Sequence, residues 1–97
     1  MRIVMVYCIS YDLRKPGRDY ESLYEVIKSY GTWWHQTDSV WIIVSSDNAA
    51  SIRDRLNEHI DRNDKLFVVA LQKQWAGVGF SHREYEWLKT IPNEEWQ

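Results

Sequence analysis

Asp12 is the residue around which chemistry could be built. It closes an apolar run, and the cations Arg14, Lys15 and Arg18 follow it directly. Functional groups concentrate at strand ends and in the loops beyond them, where a rigid scaffold holds them. A carboxylate placed there can bind a hard cation such as Mg2+, which takes oxygen ligands and keeps several waters. Arg14, Lys15 and Arg18 could then hold phosphate oxygens as nucleic-acid contacts. A competing reading makes Asp12 an Asx residue that caps its own turn, and the cations a solvated charge cluster.

Other catalytic constellations are not spelled out. His35, His59 and His82 lie far apart, without ligand spacing and without a cysteine pair, which argues against zinc. His35 falls in a strand and could act as a general acid, but the commoner role of such a histidine is structural. Gly77-Val78-Gly79 is too short for a phosphate-cradling loop and does not open a βαβ helix. No serine sits in a nucleophile elbow. Cys8, the single cysteine, lies inside an apolar run and reads as a buried structural thiol.

Positioning Asp12 requires a strand that ends there. Ile3 to Tyr11 (IVMVYCISY) is rich in β-branched and aromatic residues, which predicts a buried strand. Leu13 to Arg18 is a basic turn. A helix follows, with Asp19 as N-cap, with Tyr20, Leu23, Val26, Ile27 and Tyr30 on one face, and with Gly31 closing it in the left-handed conformation. Thr32 to Thr37 and Val40 to Ser45 predict two strands joined at Asp38-Ser39. Asp47-Asn48 opens a second helix with the stripe Ala49, Ile52, Leu56 and Ile60. Asp61 to Lys65 is a polar turn, and Leu66 to Lys73 a fourth strand. Beyond Trp75, Gly77 and Gly79 break the chain. Ser81 with Glu84 fits a capping box, and Phe80 with Tyr85 a hydrophobic staple. They predict a short helix from His82 to about Thr90, carrying Tyr85, Leu88 and Ile91 and stopped by Pro92. The order β-α-β-β-α-β predicts a ferredoxin-like α+β sandwich: one domain over residues 1–97, with its core in 1–74 and a C-terminal helical extension in 75–97.

These strands are apolar on both sides. Ile3, Met5, Tyr7 and Ile9 oppose Val4, Val6 and Cys8; Val40, Ile42 and Val44 oppose Trp41 and Ile43; Leu66, Val68 and Ala70 oppose Phe67, Val69 and Leu71. A strand with one wet face should alternate apolar and polar residues, and two helices cover only one face of a sheet. Pairing two sheets in an isologous homodimer would hide the other face, burying on the order of 1,600 Å2 at standard interface size. The alternative is a C-terminal helix folded back over its own sheet.

Composition bounds the partners. Ninety-seven residues support one modest core, and a net charge of −2 offers no global field for polyanions. Duplex binding through many phosphate contacts is therefore disfavoured, and any nucleic-acid contact must be local. Aromatics reach 14%, with six Trp and six Tyr, and such side chains are buried, stacked on a partner or used in binding. Trp33, Trp34, Trp75 or Trp87 could anchor a protein partner. RNA-recognition modules share this element order and stack bases on sheet aromatics, so Tyr7 and Trp41 could be read that way, although VWIIVSS lacks the Gly- and aromatic-rich pattern of such modules. No apolar run approaches the roughly 20 residues of a membrane span, and no signal peptide is recognisable. The chain is expected to be cytoplasmic, with no membrane partner.

The strand ending Tyr11-Asp12, the basic turn, the helix closed by Tyr30-Gly31 and the strand pair around Val40 to Val44 resemble the CRISPR-associated small endoribonuclease family and its VapD-type toxin relatives. Lys15-Pro16-Gly17, Asp38-Ser39-Val40-Trp41 and Asn63-Asp64-Lys65-Leu66-Phe67-Val68 resemble a branch of that superfamily labelled SinR-like. The likeness covers roughly residues 2 to 90, and the order and spacing of short motifs carry it. It implies a ferredoxin-like homodimer whose first-strand aspartates, here Asp12, face each other across the twofold axis and hold Mg2+ or Mn2+ for cleavage of RNA or DNA. Other members act without cutting, as a dimeric clamp between integrase subunits. Asp12 carries over as the catalytic and metal-binding residue, and Ser10 is its neighbour on the same side of the strand. The family often has a second acid soon after the first, where this chain has Arg14, Lys15 and Pro16. The resemblance therefore implies a metal-dependent endonuclease or a degenerate relative that only binds nucleic acid. The alternative is a non-catalytic homodimeric interaction module that recruits a protein partner.

Overall fold

The chain runs β1 (Met5–Asp12), α1 (Glu21–Lys28), β2 (Trp33–Thr37), β3 (Val40–Ser45), α2 (Ala49–Asn57), β4 (Lys65–Ala70) and α3 (His82–Lys89). This is seen in a computed structural model that describes residues 4–15, 19–72 and 74–90. The expected roles of Ile3, Pro16, Gly17, Arg18, Lys73, Ile91 and Pro92 lie outside the described residues. The strands form one antiparallel sheet in the order β2-β3-β1-β4. The result is an α+β domain of βαββαβ order followed by a C-terminal helix.

The local signals act largely where the sequence puts them. Asn48 caps α2, its Oδ1 accepting the Ser51 N–H at 2.8 Å. Ser81 and Glu84 form the reciprocal capping box of α3. Gly31 takes φ +92° after α1, a conformation that costs glycine little. Asp19 is displaced by one position from its expected role. Its Oδ1 accepts the Glu21 N–H at 2.9 Å, while Tyr20 occupies the N-cap without a side-chain bond.

Alternation along β1 sends Tyr7, Ile9 and Tyr11 beneath α1 and α2, where they pack with Leu23, Ile27, Trp41, Ile43, Ile52 and Leu56. Tyr7 and Trp41 are 3% and 1% exposed under these helices, so the reading of them as a base-stacking sheet surface is corrected: no base can reach them. On the opposite face Val6 is fully buried against Ile42, Val44, Leu71 and Trp87. The Trp34 indole N–H donates to the Glu84 carbonyl at 3.1 Å, tying α3 to β2. The C-terminal helix thus folds back over the β2–β3 half of its own sheet. Beyond Val6, the β1–β4 half stays open. Phe67 is 66% exposed and Val69 39%, and they stand across the ladder from Ser10 and Cys8. Cys8 is half-buried, not enclosed, and that burial pushes its thiol pKa up.

The two apolar faces should answer a new charge differently. Ile43 is fully buried, so Ile43→Glu would place an unpaired carboxylate in the core, at a cost of several kcal/mol. Ile43→Glu should show no cooperative thermal transition by circular dichroism. Phe67→Glu should keep a cooperative transition, because Phe67 is 66% exposed on the chain and the new charge meets water and not the core.

Candidate functional site

Asp12 is the last residue of β1, paired with Lys65 of β4. Its carboxylate projects on the same side of the sheet as Ser10 and Phe67, and a shallow cleft of about 320 Å3 lies among them. The chain then turns sharply, so that Arg14 reaches back. Its Nε and Nη2 donate to Asp12 Oδ2 at 2.9 and 2.8 Å. Both side chains are more than half exposed (51% and 56%), so solvent screens the pair, which is worth at most about 1 kcal/mol. Asp12 Oδ1 has no protein partner among the described residues.

The turn is held from the far side of the sequence. Asp64 Oδ1 accepts the backbone N–H of Arg14 at 2.6 Å, and its Oδ2 accepts the Tyr20 hydroxyl at 2.8 Å and the Asp61 N–H at 2.7 Å. Lys15 Nζ lies 3.5 Å from Asp61 Oδ1. One carboxylate thus fixes the exit of β1, the entry to α1 and the loop before β4. In the sequence Asp61 and Asp64 read as part of a polar turn, with no role assigned to either carboxylate. The signal available was the motif Asn63-Asp64-Lys65, but nothing local says that it reaches back to Arg14.

Of the expected phosphate contacts, Arg14 and Lys15 are paired with Asp12 and Asp61, and Arg18 lies outside the described residues. The histidines do not join Asp12. His35 is on β2, separated from β1 by β3, and contacts the Asp38 carbonyl. His82 lies on α3 near Glu86. Of the tryptophans considered as partner anchors, Trp34 is buried at 6% exposure, Trp87 packs from α3 onto Val6, and Trp33 and Trp75 remain partly exposed.

No group of three or more His, Cys, Asp or Glu able to hold a metal exists among the described residues. One chain offers a single carboxylate, Asp12, with the Ser10 hydroxyl on the same face. Mg2+ binds through one or two carboxylates supplemented by waters and phosphate oxygens. The donor set of one chain therefore fits half of such a site, and two copies would supply the rest.

The fold is that of a small ferredoxin-like domain, with the Asp12 carboxylate at a solvent-open strand end. A family model for CRISPR associated protein Cas2 matches residues 5–77, so the chain belongs to the Cas2 family. That match bears out the family resemblance and ends before α3 begins at His82. No solved structure matches the chain. No helix among the described residues is long and apolar enough to cross a membrane.

Proposed function

We propose that the chain acts as a homodimeric, divalent-metal-dependent endonuclease on RNA or DNA, with Asp12 as its catalytic and metal-binding residue. The position of Asp12 carries this reading: it ends β1 on the half of the sheet face that α3 leaves open, beside Ser10 and the exposed Phe67. A second copy seated on Phe67, Val69 and Cys8 would hide this apolar strip and bring two Asp12 carboxylates together. The two Asp12 carboxylates would hold Mg2+ or Mn2+, whose chemistry there would be activation of a water and polarisation of the phosphoryl oxygen. Ser10 would add a hydroxyl beside Asp12. Arg14, Lys15 and Arg18 would take phosphate oxygens, Arg14 exchanging its contact with Asp12 for the substrate. The whole chain, 1–97, would work as one cytoplasmic domain with residues 75–97 as its extension.

The test incubates the purified protein with labelled single- and double-stranded RNA and DNA, with Mg2+, Mn2+ or chelator. Cleavage that requires metal supports the proposal; no cleavage with either metal overturns it. Light scattering should give twice the 11.7 kDa chain mass, and Phe67→Glu should halve it. A Phe67→Glu protein that stays dimeric would put the interface elsewhere.

A second reading, the non-catalytic homodimeric module that recruits a protein partner, is favoured by one observation. The Arg14 guanidinium already grips the carboxylate that a metal would need. That reading expects the same dimer and no cleavage.

A further inference from the structure

Trp33 and His35 project from the edge strand β2 on the helix side of the sheet, the face opposite Asp12. Their rings are not loose. The His35 ring lies nearly parallel to Trp41, with centroids 3.8 Å apart at 18°, and Trp41 continues the stack to Tyr24 at 6.2 Å and 23°. Trp33 leans on Trp41 at 5.4 Å and keeps 37% of its surface exposed. His35 Nε2 lies 3.2 Å from the Asp38 carbonyl. A carbonyl can only accept, so Nε2 is the donor of this contact. The edge of the sheet thus presents rigid aromatic rings on a buried foundation, which lowers the conformational cost of stacking something on them.

Cations stand on both sides of this ridge. A cleft of about 300 Å3 opens towards α1 and contains Lys28, whose Nζ is 5.5 Å from the Trp33 ring centre. A second cleft of about 370 Å3 opens towards α3 and contains Arg83. Trp33 and His35 line both clefts. Neither Lys28 nor Arg83 forms an ion pair among the described residues, in contrast to Arg14 and Lys15. The acids at the clefts are Glu21, exposed at the start of α1, and Glu84, whose Oε1 accepts the Ser81 N–H in the capping box.

We propose that the Trp33–His35 ridge is a stacking platform for unpaired bases of a single-stranded nucleic acid, with Lys28 and Arg83 taking phosphates on either side. Every base has a π face, so such a platform tolerates any sequence, and few phosphate contacts are needed. This suits a chain of net charge −2, which has no field for duplex binding. A strand crossing the sheet edge would pass from Lys28 over the ridge to Arg83. The Trp33 and His35 rings lie on the opposite side of the sheet from Asp12, so the platform is independent of the Asp12 chemistry.

Fluorescence anisotropy with labelled oligothymidylate and oligouridylate, a blunt hairpin duplex and a mononucleotide competitor tests the proposal. The single strands should bind more tightly than the duplex. Trp33→Ala should weaken them by about 5- to 100-fold, while Trp33→Phe should recover most of the affinity because it keeps a stacking ring. Lys28→Ala and Arg83→Ala should each lower the slope of log affinity against log salt by about 0.7. Arg83 is exposed on α3, so its variant tests the platform without disturbing the packing around Trp41. Binding should be the same with chelator present, which separates this proposal from the metal-dependent nuclease reading. Parent-like affinity in both Trp33→Ala and Arg83→Ala, a preference for duplex, or a mononucleotide competing as well as the oligomer would each overturn it.

Discussion

Asp12→Asn should lower metal-dependent cleavage by on the order of a hundredfold or more, the scale seen when a group that stabilises transition-state charge is removed. Asparagine keeps the shape of the side chain and can still accept a hydrogen bond from Arg14, but it carries no charge to hold a divalent ion. What the fold loses is the charge in one half-exposed pair with Arg14, worth at most about 1 kcal/mol. Melting temperature and solution mass should therefore stay close to the parent's. This separation matters because the capping role of Asp12 makes nearly the same stability prediction: asparagine caps about as well as aspartate. Only activity divides the two. Cleavage at the parental rate in Asp12→Asn would remove Asp12 from the catalytic role and direct attention to groups outside this turn.

The parts of the fold that were legible in the sequence are those whose causes are local. Val40 to Ser45 reads as a strand because its β-branched and aromatic residues alternate across the sheet, and Asp38-Ser39 is a turn because it interrupts that pattern with polar residues. The Ser81–Glu84 box is readable because its two reciprocal bonds need only the right residues three apart. The N-cap of α1 falls one residue later than the sequence predicts, for a tertiary reason. Tyr20 is drawn into the core, 8% exposed, with its hydroxyl on Asp64, and Asp19 bonds from one step further out. The periodicity of the strands correctly shows two apolar faces, but it cannot say what covers them. Whether α3 or a second chain lies on Val6 depends on the route taken after β4, for which the sequence carries no periodic signal. The site divides in the same way. Asp12 at a strand end is a local fact, whereas its support by Asp64 spans 50 positions of chain. The His35–Trp41–Tyr24 stack joins β2, β3 and α1, and only the ladder register, including the irregularity between Trp34 and Thr37, brings those rings together.

Trp41→Ala should destabilise the domain by about 3–5 kcal/mol, the usual cost of emptying a buried aromatic site. For a domain of this size that corresponds to a fall in melting temperature on the order of 15–30 °C. Trp41 is 1% exposed, and His35, Tyr24 and Trp33 all rest on its ring. Its indole N–H also donates to the Tyr11 hydroxyl at 3.0 Å, and that hydroxyl donates to the Asp38 carbonyl at 3.2 Å, linking the core to the β2–β3 turn. Burial holds the Tyr11 phenol pKa above its ordinary value. Its contribution to stability is therefore intact below the usual phenol range and lost as pH rises through the raised value. Trp41→Phe divides the two effects of the indole. It keeps most of the ring volume but removes the donor, and should cost about 1–2 kcal/mol for the lost bond, plus a smaller amount for the missing ring. Denaturant titrations of parent, Trp41→Phe and Trp41→Ala measure both quantities. If Trp41→Phe proved as unstable as Trp41→Ala, the hydrogen bond to Tyr11 would outweigh the packing. If Trp41→Ala melted near the parent, Trp41 could not be the foundation of this core, and the rigid seat of His35 would go with it.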